Sequence, residues 1–110
     1  NGCRYCQAHH GAALNHYWKD DQKVSQLQED PTRLNLSKDD LALCAYARQL
    51  TQQPATAEAT DVTASLKTLG FSDAAILDAT LVAAYFNLVN RLVLGLGVGL
   101  EADNGQGYAY

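Results

Sequence analysis

The sequence predicts an all-α protein, and three observations carry that prediction. No stretch sustains an alternation of apolar and polar residues, whereas several segments repeat apolar residues at helical spacing. The segments are bounded by helix punctuation: Ser and Asp before them, Gly after them, Pro between them. The 110 residues are 47% hydrophobic and 18% charged with two prolines, a composition that folds, and a length that suits one domain.

The first helix is expected from Cys3 to about Trp18, a run free of Pro with its only Gly at 11. Lys19-Asp20-Asp21 interrupts it, and Val24 to Glu29 forms a short second helix stopped by Pro31. Ser37 followed by Lys38-Asp39-Asp40 reads as an N-cap with acids in the first turn, where the helix dipole favours them. That helix runs to about Thr51, with Leu41, Cys44, Ala45, Ala47 and Leu50 available as a core face. Gln52-Gln53-Pro54 is a connector.

A further helix starts near Thr60-Asp61 and carries Val62, Leu66 and Leu69. Gly70 serves as a left-handed C-cap, with Phe71 packing behind it. Ser72-Asp73 caps the longest helix, about Asp73 to Leu94, which is apolar nearly all round. Such a helix is buried in a bundle or lies in a membrane. Asn87, Asn90 and Arg91 break the run short of the ~18–20 residues of a span, so burial in a bundle or subunit interface is expected. Gly95, Gly97 and Gly99 follow a helix rather than a strand, so they read as helix termination and not as a phosphate-binding turn. Asp103-Asn104-Gly105-Gln106-Gly107 reads as a loose tail.

Eight basic residues against twelve acidic give a net charge of −4, with no Lys/Arg cluster, which speaks against a phosphate-tracking nucleic-acid surface. Three cysteines are an odd count and argue against a disulfide-stapled secreted scaffold. There is no Met, and no basic segment followed by an apolar run opens the sequence. The chain therefore reads as one whose N-terminal part is not shown, with a cytoplasmic location expected.

Chemistry concentrates in Cys3-Arg4-Tyr5-Cys6-Gln7-Ala8-His9-His10. At ~100° per residue, Cys6 lies about 60° from Cys3, and His10 about 20° from Cys3 and about 40° from Cys6. One helical face thus carries two thiols and an imidazole. A helix N-terminus and a neighbouring imidazole both favour thiolate, and a second thiol at i+3 can capture a sulfenic acid as a disulfide. The alternatives are structural zinc, which lacks a second Cys/His pair downstream, and two cysteines that are simply buried. A c-type haem is excluded because Gln7, not His, follows Cys6, and a thioredoxin-like motif lacks its βαβ setting.

Cys44, among Leu41, Leu43, Ala45 and Ala47, reads as a buried structural cysteine. His9 and His16 read as polar-face or interface residues, and Tyr17 and Trp18 as core or interface. Thr80, Ala83, Asn87, Asn90 and Arg91 share one face of the long helix, and polar groups buried there must find partners. Neighbouring helices or a second subunit would supply them. The other reading is a site wall in which Arg91 attracts an anion, with His9, Asn87 and Asn90 beside it.

The segment from Asn1 to His10 resembles the signature of the alkylhydroperoxidase D-like, or carboxymuconolactone decarboxylase-like, superfamily. Leu36-Ser37 through Ala47-Arg48-Gln49-Leu50-Thr51, then Pro54, resemble the middle of its peroxidase-related subgroup. The stretches Gly70 to Ala79 and Tyr85 to Leu92 resemble the subgroup's C-terminal half. The likeness covers residues 1–101, read as an N-terminally incomplete core, with 102–110 as tail.

The resemblance implies an all-α helical bundle that forms homo-oligomers, without the family's N-terminal helices in this chain. It implies a thiol-dependent peroxidase or disulfide oxidoreductase: Cys6 attacks a small hydroperoxide, Cys3 resolves it, and His10 assists. No cofactor and no metal are implied, and the partners are the hydroperoxide and an unidentified thiol or dithiol reductant, not nucleic acid or a membrane. The family places a relay Glu upstream of the first Cys, a position before the first residue here, and packs its long C-terminal helix on upstream helices. An exposed apolar surface is therefore expected on this chain unless a partner covers it. A non-enzymatic oligomerisation or metal-binding module is one rival reading. A decarboxylase-like activity on a small acid, with His10 as base and Arg91 as anion anchor, is the other.

Overall fold

The computed structural model describes residues 1–56 and 62–103, and among these it contains five α-helices and no strands. They are α1 (Arg4–Trp18), α2 (Asp21–Glu29), α3 (Lys38–Gln52), α4 (Val62–Thr68) and α5 (Asp73–Gly95), with single 3-10 turns at Pro31–Arg33 and Pro54–Thr56. The all-α expectation holds. The expected helix start at Thr60-Asp61 and most of the tail from Asn104 onward lie outside the described residues. The described residues form two compact units. One contains residues 36–89 with Asn1, the other residues 2–35 with the chain from Asn90 on.

In the first unit, Ser37 caps α3: its Oγ accepts the Asp40 N–H at 3.0 Å and its hydroxyl donates to the Asp40 carboxylate at 2.8 Å. The core is Tyr46, Leu66 and Ile76, with Ala42, Leu43, Leu50, Val62, Phe71 and Ala79 packed around it. This corrects the expected core face of α3. Ala45 is exposed and Cys44 only half-buried, while Tyr46 takes the centre. The reason is its phenol, which lies 2.6 Å from Thr80 Oγ1 on α5 and so makes a polar-tipped ring tolerable inside. The Thr80 hydroxyl is committed to the Ile76 carbonyl at 2.7 Å, so Tyr46 is the donor.

The end of α4 follows from Gly70, whose φ of 92° suits glycine. Its N–H donates to the Lys67 carbonyl at 2.9 Å, and the Phe71 N–H to the Leu66 carbonyl at 3.1 Å. Those two bonds define a Schellman motif and swing Phe71 onto the Leu66 core. Ser72 then caps α5 through the Ala75 N–H at 3.1 Å.

In the second unit, α1 ends at Lys19, left-handed at φ 54°, whose N–H donates to the Asn15 carbonyl. Asp20 caps α2 by accepting the Lys23 N–H at 2.9 Å, and Asp30 caps the 3-10 turn. Val24 of α2 is buried. Gly11 permits the close approach of the Gln28 side chain, because a Cβ there would lie 2.7 Å from Gln28 Nε2. Helix α5 ends on the same device as α4: Gly97 at φ 65°, its N–H on the Leu94 carbonyl and the Val98 N–H on the Val93 carbonyl. The reading of these glycines as termination holds.

Of the two expected settings for α5, burial in a bundle of the chain's own helices does not hold. Of its 23 residues only Ile76 is buried, and Leu77, Leu81, Val82, Tyr85, Leu88 and Leu92 are each more than half exposed. Among the described residues, packing reaches one stripe of this helix, which matches the apolar surface expected of an uncovered chain. The inference that Asn87, Asn90 and Arg91 cut the run too short also fails on composition. The helix is long and apolar enough to cross a membrane, a test that core helices of soluble proteins pass as well. Tyr17, expected in core or interface, is 76% exposed. Trp18 is half-buried under the Lys23 ammonium, 4.1 Å from the ring centroid.

Candidate functional site

Both cysteines of the motif are buried at the start of α1, but only one belongs to the helix. Cys3 is the N-cap, with extended backbone at φ −80° and ψ 100°, rather than the first helical residue. Gly2 before it turns the chain at φ 69°. Cys6 is the third helical residue, and its N–H donates to the Cys3 sulfur at 3.2 Å. The Cα atoms stand 5.3 Å apart and the sulfurs lie at disulfide-bonding distance. An N-cap side chain normally offers oxygen to this N–H, and here a sulfur takes that place.

The two cysteines differ in access. Cys3 is 1% exposed, whereas Cys6 lines a cavity of about 230 Å³. Gly11, Leu14, Val24 and Leu27 give that cavity apolar walls, and Gln28, His10 and Asn90 bring polar groups to it. His10 is itself exposed. The structure thus gathers Cys6, His10 and Asn90 around one opening. A larger, more polar groove of about 800 Å³ runs along α1 and α2 past Arg4, Asn15 and His16.

The remaining expected site residues go elsewhere. His9 turns to Glu101, its Nε2 3.0 Å from the carboxylate, with its ring 4.2 Å from that of Tyr5. Asn87 belongs to the first unit, where its amide donates to Thr51 at 3.0 Å and its carbonyl accepts from Asn1 at 2.6 Å. Arg91 is exposed on α5 and is not among the residues lining the cavity. Among the described residues no three His, Cys, Asp or Glu side chains cluster as metal ligands.

Glu101 is the residue that sequence reading missed. The Tyr5 hydroxyl donates to one carboxylate oxygen at 3.0 Å while His9 meets the other at 3.0 Å. The carboxyl is held below its ordinary range, first by its own backbone N–H and then by Tyr5 and His9. The available signal was Tyr5 and His9 at i and i+4, a polar pair on one face awaiting an acceptor. Cys44, in the first unit, has its thiol pushed up by burial and by the nearby Asp40 charge, which suits an inert cysteine rather than a nucleophile.

No protein-family model matches the chain, and no curated protein matches it either.

Proposed function

We propose that the chain is a thiol-dependent peroxidase or disulfide oxidoreductase of the alkylhydroperoxidase type, working through Cys6 and Cys3. The observation that carries the reading is the asymmetric pair: one cysteine lining a cavity, the other more deeply buried at a helix N-cap under an N–H donor. Such a pair divides the labour of dithiol chemistry. The open sulfur meets the small oxidant, and the closed one is stabilised as thiolate by the donated N–H and the helix dipole.

In the reduced state His10 accepts the Cys6 thiol proton. The Cys6 thiolate attacks the outer oxygen of the hydroperoxide, the O–O bond breaks, and the departing alkoxide takes the proton from His10. Cys6 is then a sulfenic acid and the product an alcohol. The Cys3 thiolate attacks the Cys6 sulfur, the S–O bond breaks, and hydroxide leaves to be protonated to water. The sum is one hydroperoxide and two thiols giving an alcohol, water and one disulfide. An external dithiol, itself oxidised, returns the pair to thiols by attacking the sulfur of Cys6, the cysteine that lines the cavity, with Cys3 leaving as the stabilised thiolate. A reducing cytoplasm would supply that donor.

The test is intact-mass spectrometry of the reduced chain before and after one equivalent of hydrogen peroxide, with thiol trapping and peptide mapping. The expected result is a loss of about two mass units mapped to Cys3 and Cys6 and abolished by Cys6→Ser. Two thiols that survive peroxide unchanged would remove the peroxidase reading.

A further inference from the structure

Two spaces flank α1 within the second unit, and they share a wall. At ~100° per residue, Cys6, His10 and Leu14 fall within an arc of about 80° and line the small cavity. Arg4, Ala8, Ala12 and Asn15 fall within another arc of about 80° and line the larger groove. Gln7 and Gly11 lie between the two arcs, and with Val24 and Gln28 of α2 they border both spaces. The Gln28 amide donates to the Gln7 carbonyl at 2.9 Å, and the absent Cβ of Gly11 leaves room for it. Gln28 is exposed, so at this point the wall is a side chain that can swing, not backbone.

The two spaces differ in what they admit. The cavity of about 230 Å³ at Cys6 takes a hydroperoxide or the arm of a thiol, not a whole drug-sized molecule. The groove of about 800 Å³ falls in the range of small-molecule sites, and Gln7, Asn15, Ser25 and Gln28 bring polar groups to it. Its charges are uneven. At one end Lys19 is offset by Asp21. At the other, exposed Arg4 stands in the first turn of α1, which holds no acidic residue. Glu101 follows Leu100 on the groove wall, but its carboxylate is taken up by Tyr5 and His9. The end of the groove that adjoins Cys3 and Cys6 in sequence is thus cationic, in a chain of net charge −4.

We infer, on the dithiol reading proposed above, that the groove binds the electron donor and that this donor is a small thiol carrying a carboxylate. Its anion sits on Arg4, where a guanidinium and a carboxylate pair in charge-assisted hydrogen bonds. Its thiol arm displaces the Gln28 side chain and enters the Cys6 cavity. The donor thiolate attacks the Cys6 sulfur, the S–S bond breaks, and Cys3 leaves as thiolate. A second thiol, from the same molecule or another, attacks the donor sulfur of that mixed disulfide and frees Cys6. Two donor thiols lose two electrons and two protons and become a disulfide, and Cys3 and Cys6 gain them and become two thiols.

Reduction kinetics of the full chain test this. The Cys3–Cys6 disulfide is formed with diamide, so the reduction step is read whether or not peroxide reacts with the pair. Glutathione is the probe, its diethyl ester the comparison with carboxylates masked, and dithiothreitol the small uncharged control. Thiol alkylation and intact mass follow the return of the two thiols. The rate is expected to saturate with glutathione and to exceed that of the ester by about fivefold at equal thiolate concentration. Arg4→Gln is expected to lower the ratio of the glutathione rate to the dithiothreitol rate by about fivefold, and Arg4→Lys to restore most of it. If Arg4→Gln misfolds, Ala8→Glu makes the same test, because it sets a carboxylate one helical turn from Arg4. A ratio indifferent to Arg4→Gln and Ala8→Glu overturns the assignment, as do equal rates for glutathione and its ester. Reduction by dithiothreitol alone overturns it in favour of an uncharged or protein-borne dithiol. Each of these results leaves the peroxidase reading standing, and inertness to peroxide removes that reading while these rates stay readable.

Discussion

The amide N–H of Cys6 points at the sulfur of Cys3 from 3.2 Å, one turn into α1. In the proposed chemistry this single contact sets the order of events at the pair. A sulfur that accepts a backbone N–H at a helix N-terminus is the better thiolate and leaving group, and here it is also the more deeply buried of the two. Cys6, whose sulfur lacks that support, lines the cavity. In the proposed chemistry, attack from outside therefore falls on Cys6, and resolution falls on Cys3.

That division predicts opposite outcomes for two conservative variants. Cys3→Ser is expected to keep the peroxide-reactive thiol but stop at a sulfenic acid on Cys6, detected as a dimedone adduct on the peptide containing residue 6. Cys6→Ser is expected to give no adduct at residue 3 under the same conditions. Adduct on Cys3 in the Cys6→Ser chain would reverse the roles.

His10 shares the Cys6 opening, so His10→Ala is expected to slow oxidation of Cys6 by about 10²-fold, the lower end of what a general base contributes. Stopped-flow peroxide consumption at neutral pH reads this directly. His10→Gln keeps a polar side chain without a titrating base, so it should fall with Ala rather than with the wild type. Equal rates for all three chains would remove His10 from the chemistry.

The Tyr46 phenol and Thr80 tie α3 to α5 within the first unit. Tyr46→Phe keeps the ring and leaves Thr80 bonded to Ile76, so about 1 kcal/mol of stability should be lost. Leu66→Ala removes a fully buried side chain from the same cluster and is expected to cost about 2–5 kcal/mol. Urea unfolding followed by circular dichroism separates the two. A Tyr46→Phe chain less stable than Leu66→Ala would mean that the hydrogen bond, not the packing, organises this core.

Most of the helix ends could be read from the residues. Ser37, Ser72, Gly70 and Gly97 each do locally what their chemistry predicts, because a cap is decided by a few neighbouring dihedrals and hydrogen bonds. The cysteine pair was also legible, since i and i+3 at a helix start meet whatever surrounds them. What escaped depends on partners far away in sequence. Tyr46 became core only because Thr80 accepts its hydroxyl, and Ala45 turned outward as a consequence. Glu101 could not be paired with Tyr5 and His9 from spacing, because 92 residues separate it from His9. That α5 is not packed all round by the chain's own described helices has a related reason: apolarity shows that a surface seeks cover, not that the same chain provides it.

Glu101 gives the stability a pH dependence with a definite sign. Its carboxyl titrates below its ordinary value in the folded chain because its own N–H, Tyr5 and His9 favour the anion. A depressed folded value means that the unfolded chain binds the proton more tightly. The stabilising contribution is therefore fully present above the ordinary carboxylate range, about pH 4.3, and fades as the pH falls below it through the folded value. Glu101→Gln removes that contribution, so wild type and variant should differ above about pH 5 and converge in acid. Thermal melts across pH 3–7 give the comparison, and the Glu101 side-chain carboxyl shift in NMR gives the titration itself. Because the group is solvent-exposed, the difference should shrink in high salt. A melting difference that grows on acidification would mean that the protonated carboxyl, not the anion, holds Tyr5 and His9.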